Sequence, residues 1–270
     1  MTIAIGMVCQ GCVLVASDTR ISYDGGKVSD AKKITDLKAK GGVFAFAHSS
    51  NDANAATALI GEIRQEIENW RFEITSSTVG TPIKMGMQRW WLPHGDNHPV
   101  VYLLLGACFG GESEPSLFFC EPPNVVIPVQ DNYKCIGDGW EIADPIYEWF
   151  RPNAPSPLHA SLCQISYMLY KAKTLMPATI GGDTDVDVLT DCISDPLRID
   201  RISMRAVEWY GIAFERHLSK LASLAMEGSL EGQKDVLRAA EGIYSSSMMY
   251  ASAEFRCQFP DKPIRRQFYT

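Results

Sequence analysis

The order in which strand-like and helical patterns follow each other is the strongest constraint on the fold of this chain. Strand-like runs come first, and helical periodicity then covers about Asn51 to Trp70, with a short helix near Pro82 to Trp91. Strand-like runs return from Val100 to Ile136, and helical patterns follow at about Trp140 to Phe150 and Leu158 to Leu175. We therefore expect an α+β fold, a four-layer αββα sandwich of two antiparallel sheets with helices outside.

The chain enters a strand almost at its first residue. Thr2 to Val8 and Cys12 to Ser17 are rich in β-branched and apolar residues, and Gln10-Gly11 between them predicts the turn of a β-hairpin. Cys9 and Cys12 flank this turn, and no second CxxC or nearby histidine completes a zinc set. Because no basic segment precedes the strand, we expect no signal peptide and a cytoplasmic location.

Composition and charge exclude several classes of protein. Apolar residues make up 46% of the chain and charged residues 21%, which is typical of globular domains. The net charge of −7 argues against binding to nucleic acid or to an anionic membrane. The longest apolar run, Val100 to Phe109, is too short to span a bilayer as a helix. The eight cysteines are scattered through apolar segments, which favours reduced core thiols, and we expect no metal and no cofactor.

The chain is expected to consist of a core and an extension. A strand at about Val186 to Thr190 completes the core, which takes up residues 1–200. Residues 201–270 contain two long helical patterns, at Ile202 to Met226 and Gln233 to Phe255. This C-terminal helical extension is expected to pack on the core, where it either widens a subunit interface or covers one sheet.

Thr2 is the residue whose chemistry is clearest. If Met1 is removed, the hydroxyl of Thr2 and its own α-amine belong to the same residue, and the partly neutral amine can take the hydroxyl proton. A nearby lysine favours the neutral amine, and a carboxylate is needed to hold that lysine in place. The sequence offers Asp18 as the carboxylate and Lys33 as the cation.

Three segments of the chain resemble the opening of a proteasome β-type subunit, a family of N-terminal nucleophile (Ntn) hydrolases. They are Thr2-Ile3-Ala4-Ile5-Gly6, Val15-Ala16-Ser17-Asp18-Thr19-Arg20 and Lys32-Lys33-Ile34. The resemblance covers about residues 2–200 and implies an Ntn-hydrolase fold with Thr2 as nucleophile, Asp18 as orienting carboxylate and Lys33 as cation. The lysine requires a one-residue deletion relative to the family, so Lys32 remains a rival for Lys33.

The same resemblance implies residues that bind the substrate. His48 stands where a glycine of the family usually supplies the oxyanion-hole amide, and a backbone N–H survives this change of side chain. Its imidazole is alternatively a pocket residue or an extra proton carrier. Phe46 would face the pocket for the residue before the cleaved bond and favour a small side chain there. Ser22 and Ser50 complete the expected substrate-binding set.

Two later segments resemble the family less well. Gly137-Asp138-Gly139 matches a G-S-G stretch with Asp138 in the place of a catalytic serine, where a carboxylate favours the charged form of the amine. Asp138 is alternatively the cap of the helix from Trp140. Pro177 and Ile180 fall where many members have an Asp and a Ser before a Gly-Gly pair.

The function implied by the resemblance is that of a threonine peptidase in a homo-oligomeric ring, acting on peptides or unfolded proteins. An ATP-dependent unfoldase is a candidate partner. One alternative is a non-catalytic scaffold subunit, favoured by His48, Asp138, Pro177 and Ile180. Another is a transpeptidase or amidase that uses the same acyl-enzyme.

Overall fold

The computed structural model describes residues 2–22, 28–39, 41–94, 98–112, 114–151, 154–190, 197–199, 215–216 and 219. Two five-stranded antiparallel sheets lie between two pairs of helices, which confirms the four-layer sandwich. The elements in chain order are β1 (Ala4–Cys9), β2 (Cys12–Asp18), β3 (Arg20–Ser22), β4 (Val28–Asp30), β5 (Ile34–Ala39), β6 (Gly42–Ser50), α1 (Ala53–Asn69), α2 (Gly80–Trp91), β7 (Val101–Phe109), β8 (Ser116–Glu121), β9 (Val125–Pro128), β10 (Tyr133–Ile136), α3 (Trp140–Phe150), α4 (Leu158–Leu175), β11 (Thr184–Thr190) and β12 (Leu197–Ile199).

The two sheets differ in how far apart their strands lie in the sequence. The first sheet has the order β10-β1-β2-β11-β12, so its central strands come from both ends of the described core. The second sheet has the order β5-β6-β7-β8-β9 and is a simple meander. Because β2 lies in the middle of the first sheet, all seven of its residues are buried, including Asp18 at its end.

Three apolar layers separate the four structural layers. The first lies between the second sheet and helices α1 and α2, and contains Phe44, Phe46 and Ile63. The second lies between the first sheet and helices α3 and α4. The third lies between the sheets and consists mostly of small or β-branched side chains, such as those of Val15 and Ala45. Alternate residues of β6 enter different layers, as the two-residue period of a strand requires.

The hairpin at the N-terminus has the predicted two-residue turn. Cys9 lies opposite Cys12, and Gly11 has a φ of 68°, the left-handed conformation that such turns require of one or both central residues. The six cysteines among the described residues form no disulfide. No described helix is both long and apolar enough to cross a bilayer.

The structure differs from the sequence-based prediction in one segment of the chain. It does not describe most of a second segment. In the stretch that starts at Arg20, β3 pairs antiparallel with β4 and the two form a separate two-stranded sheet. Its three-residue strands are too short to produce a recognisable alternation in the sequence. The two long helical patterns predicted for 201–270 lie outside the described residues, apart from Glu215, Arg216 and Ser219, which are helical.

Candidate active site

Thr2 lies two residues before the first residue of β1 and is almost completely buried, with 3% of its surface exposed. Its carbonyl group is in close contact with Gly137, which has a φ of 86°. A Cβ atom at that position would overlap the Thr2 carbonyl oxygen, so this approach requires glycine. The start of the chain is therefore held between the first sheet and the turn that precedes α3.

Asp18 accepts hydrogen bonds from three separate parts of the chain, namely the N-terminal segment, Lys33 and the turn at Gly181. It has no exposed surface, and its Oδ1 accepts from the Thr2 hydroxyl and from the Ile3 N–H at 3.2 Å. Its Oδ2 accepts from the Gly181 N–H at 3.1 Å. A buried carboxylate is stable only when hydrogen bonds and a cation replace its water shell. This requirement explains why the strand end, the N-terminus and a distant turn meet here.

Lys33 supplies the cation. It is 3% exposed, and its Nζ lies 2.8 Å from Asp18 Oδ1 and donates hydrogen bonds to the Thr2 hydroxyl oxygen and the Arg20 carbonyl oxygen. Lys32, the rival predicted from the sequence, has a side chain that is 37% exposed and forms an ion pair with Asp36 at 3.6 Å. The structure therefore places Lys33, and not Lys32, at Thr2.

Burial and neighbouring charges act on Lys33 in opposite directions. Burial lowers the pKa of Lys33 below its ordinary value, while the carboxylates of Asp18 and Asp30 raise it and the ammonium group of Lys173 lowers it. Burial is the largest of these effects. A lysine with a lowered pKa releases or accepts a proton more readily near neutral pH than an exposed one.

His48 lies next to this group of residues. Ile34 of β5 is paired with Ala47 of β6, and Lys33 and His48 are the residues that adjoin this last pair of the ladder. The imidazole is 6% exposed, and its Nδ1 has no hydrogen-bond partner among the residues that the structure describes. Burial, and then the positive charge of Lys33, lower the pKa of His48 to about 4. The side chain is therefore neutral at physiological pH and cannot supply a positive charge to an oxyanion.

Two other residues expected to bind substrate have their side chains elsewhere in the fold, and the side chain of a third is not described. Phe46 has no exposed surface and packs in the apolar layer under α1 and α2. The Ser50 hydroxyl donates to the Val100 carbonyl oxygen at 2.9 Å and accepts from the Asp52 N–H at 3.0 Å, which assigns it to the turn before α1. Ser22 lies in β3, and its side chain lies outside the described part of the structure.

Asp138 lies in the turn between Gly137 and α3 and is half-buried. The alternative interpretation, in which it caps this helix, is wrong, since the N-cap residue is Gly139 and no side chain among the described residues caps the helix. The Trp140 N–H instead donates to the Gly137 carbonyl oxygen at 3.2 Å. The helix thus begins one residue too late for the Asp138 carboxylate to serve as its cap.

The turn before β11 is bonded to Arg20, a residue to which the sequence analysis assigned no role. Arg20 donates from Nη1 to the Pro177 carbonyl oxygen at 2.5 Å, and its guanidinium lies against Gly181. Ile180 is fully buried in the layer under α3 and α4. The signal that could have identified Arg20 is its place at the end of the Ala-Ser-Asp-Thr-Arg segment, two residues after the buried carboxylate of Asp18.

The described residues of the site contain no group of three or more His, Cys, Asp or Glu side chains arranged to hold a metal ion. The arrangement is instead that of a hydroxyl bonded to a carboxylate and to a lysine ammonium group. Such a group of three can polarise an alcohol and stabilise the alkoxide that it forms.

Comparison with known proteins identifies the family. A family model described as proteasome subunit matches residues 2–153, more than half of the chain. The chain belongs to the proteasome subunit family. Its sandwich is accordingly an Ntn-hydrolase fold, as the resemblance of the opening segments implied. No curated protein matches the sequence.

Solved structures of Anbu proteins share this fold. A mutant Anbu protein from Hyphomicrobium sp. strain MC1 has a TM-score of 0.67 at 17% identity, over 83% of this chain and 97% of that chain. Anbu (ancestral beta-subunit) from Yersinia bercovieri has a TM-score of 0.69 at 15% identity, over 82% and 97%. The Anbu complex from Pseudomonas aeruginosa, solved as a helical assembly, has a TM-score of 0.61 at 15% identity, over 80% and 95%.

Proposed function

We propose that this proteasome family member is a threonine-type Ntn hydrolase that cleaves peptide bonds once Met1 has been removed. The observation that carries the proposal is the buried contact of the Thr2 hydroxyl with both Asp18 and Lys33. Burying these polar groups together costs free energy that a structural role alone does not require. The family membership is consistent with this activity.

The first half of the reaction forms an acyl-enzyme. The freed α-amine of Thr2 accepts the hydroxyl proton while Oγ1 attacks the scissile carbonyl carbon. The ammonium group of Lys33, which already donates to Oγ1, stabilises the developing alkoxide. The backbone N–H of His48 holds the oxyanion, and the proton passes from the Thr2 amine to the leaving amine as the peptide bond breaks.

The second half returns the enzyme to its starting state. The Thr2 amine takes a proton from water, whose oxygen attacks the ester carbonyl and releases the carboxylic acid while Oγ1 regains a proton. An amine acceptor in place of water would give a transpeptidase with the same intermediate. The product after hydrolysis is a shortened peptide, and no cofactor takes part.

We further propose that the active form is a homo-oligomeric ring or related assembly in the cytoplasm, acting on peptides or unfolded proteins. The Anbu complex of Pseudomonas aeruginosa is described as a helical assembly, which supports self-association of similar folds. Enclosure of the site in an assembly would keep folded proteins away from Thr2. An ATP-dependent unfoldase would then be the partner that supplies the unfolded substrate.

The test combines intact-mass measurement with labelling by a peptide epoxyketone, which needs both the hydroxyl and the free amine of an N-terminal threonine. Protein with Met1 removed should gain one label on Thr2 and cleave fluorogenic peptides. The matched controls are Thr2→Ala and a version that carries an uncleaved N-terminal extension, and neither should be labelled. A free Thr2 that neither takes the label nor supports cleavage would disprove the proposal.

A non-catalytic scaffold is the second candidate function, and the turn before β11 favours it. Ile180 is fully buried where many family members have a serine, and the Pro177 position offers only a carbonyl oxygen, which is bonded to Arg20. Under this alternative, protein with a free Thr2 would assemble normally, measured by light scattering, yet show the same unreactive terminus as Thr2→Ala.

A further inference from the structure

Lys173 connects helix α4 to the turn and strand that support Asp18. Its ammonium group, in the last turn of α4, donates to the Gly182 carbonyl oxygen at 2.9 Å and to the Thr184 hydroxyl at 2.6 Å. Thr184 lies directly opposite Asp18 in the pairing of β11 with β2. One lysine therefore binds the turn and the first residue of the strand that follows it.

The turn that Lys173 holds has little freedom to move without disturbing the site. Gly182 has a φ of 69°, and a Cβ atom there would collide with the Asp30 carboxylate and the Thr19 hydroxyl. Its neighbour Gly181 donates from its N–H to Asp18 and accepts from the Arg20 N–H at 3.2 Å. The position of this turn thus sets the direction from which Asp18 Oδ2 is bonded.

Lys173 is also one of the charges that act on Lys33. The groups that face Lys33 are Asp18 from β2, Asp30 from β4, His48 from β6 and Lys173 from α4. Since two positive charges disfavour each other, Lys173 lowers the pKa of Lys33, and its removal should raise that pKa.

We propose that Lys173 is a positioning residue of the Thr2 site, which holds the Gly181–Gly182 turn and, through it, the Asp18 carboxylate that binds Lys33. It supplies the anchoring that a polar side chain at Pro177 or Ile180 does not supply in this chain. The effect on catalysis rests on the proposed function, whereas the effect on the turn does not.

The first experiment measures the turn directly by hydrogen-exchange mass spectrometry on a peptide covering residues 177–184. Lys173→Met should speed the exchange of the slowest amide in this peptide by about tenfold or more, the loss expected when a hydrogen bond from a charged group is removed. Lys173→Arg should restore most of the protection. Thr184→Val removes one of the two hydrogen bonds of Lys173 and replaces the side chain by one of similar size, so it should give part of the effect.

Lys171→Met is the matched control. Lys171 lies two residues away on the same helix and forms an ion pair with Glu215 at 2.6 Å. Its removal changes the charge by the same amount and should leave exchange at 177–184 unchanged. Equal exchange in the Lys173→Met and Lys171→Met proteins would overturn the proposal.

The second experiment follows the pH dependence of epoxyketone labelling at Thr2. Lys173→Met should slow labelling by about tenfold. It should also move the alkaline limb of the plot of labelling rate against pH to higher pH, because the pKa of Lys33 rises. Lys173→Arg should have neither effect. Slower labelling at every pH without a move of the limb, or labelling as fast as in Lys171→Met, would overturn the positioning role. If the wild-type protein takes no label, the proposed function fails, and the exchange experiment still decides what Lys173 does.

Discussion

The two sides of Thr2 differ in how completely their polar groups are satisfied. On one side, Asp18 and Lys33 are buried and hydrogen-bonded to each other and to the Thr2 hydroxyl. On the other, Gly137 contacts the Thr2 carbonyl, and its half-buried neighbour Asp138 makes no hydrogen bond within the described part of the chain. We call the first the lysine side, after Lys33, and the second the aspartate side, after Asp138. Under the proposed function, the contrast predicts that activation of the hydroxyl depends on contacts present in the fold, whereas control of the freed amine is the weaker half of the site.

The largest effect is expected from the lysine side. Lys33→Met should reduce the labelling of Thr2 by roughly 10²- to 10⁴-fold, because the alkoxide loses its cation and the proton relay loses a member. Lys32→Met is the control, since that exposed lysine pairs only with Asp36 among the described residues and should retain full labelling. Labelling rates of the two Met1-processed variants at one pH make the comparison.

Loss of folding has to be separated from loss of chemistry in this variant. Lys33→Met leaves the Asp18 carboxylate buried without its cation, which should cost about 3–5 kcal/mol of stability. Adding Asp18→Asn should recover part of that stability in urea unfolding without recovering labelling. A stable double variant that is labelled normally would show that the reactivity of Thr2 does not depend on the lysine side.

His48 gives a second test, in which stability depends on pH. Its pKa is about 4 in the folded protein and 6.5 when unfolded, so between these values the unfolded chain binds more protons. The contribution of His48 to stability is thus complete above about pH 7 and decreases as the pH falls, by about 2 kcal/mol at pH 5.

The measurement is urea unfolding of the wild-type protein and of His48→Gln at pH 7 and at pH 5. The variant should lose about 2 kcal/mol less than the wild type between them. His94→Gln, which replaces an exposed histidine after α2, controls for the loss of one imidazole. Parallel losses in the wild type and His48→Gln would mean that the imidazole takes up a proton in the folded state.

The aspartate side should respond in the opposite direction. Asp138→Ser removes a negative charge that favours the ammonium form of the freed Thr2 amine, so labelling near pH 7 should rise by up to about tenfold. The rise should shrink above about pH 8, where the amine is already neutral. Glu141→Gln removes a charge from the first turn of α3 and should have little effect. If Asp138→Ser slowed labelling instead, the carboxylate would have a catalytic role of its own.

The layers of the fold could be predicted from the sequence because each depends on local periodicity. α3 and α4 begin and end at the predicted residues, and the hairpin turn at Gln10-Gly11 is as expected. Lys32 and Lys33 could not be separated, since a slip of one residue moves a strand side chain to the opposite face. That ambiguity is resolved only by the contact of Lys33 with Asp18.

The rest of the site depends on contacts that no local pattern encodes. Lys173 and Gly181 meet the Asp18 region only because β11 pairs with β2, more than 160 residues away in sequence. Asp-Gly before a helix usually indicates a cap, which made capping of α3 an alternative role for Asp138, but the Trp140 N–H donates to the Gly137 carbonyl oxygen instead. Such competition between side chain and backbone is decided by tertiary packing.

Ser50 is expected to show the smallest effect, since it belongs to neither side of the site. Ser50→Ala removes a hydroxyl that bonds Val100 and Asp52, so it should lower the free energy of unfolding by about 1 kcal/mol. Thr57→Ala, which removes an exposed hydroxyl bonded to Ala53 within α1, should cost less. Because the Ser50 bonds are internal to the fold, the KM for peptides should not change. An increase in KM at unchanged stability would instead make Ser50 a substrate contact and extend the site beyond the two sides of Thr2.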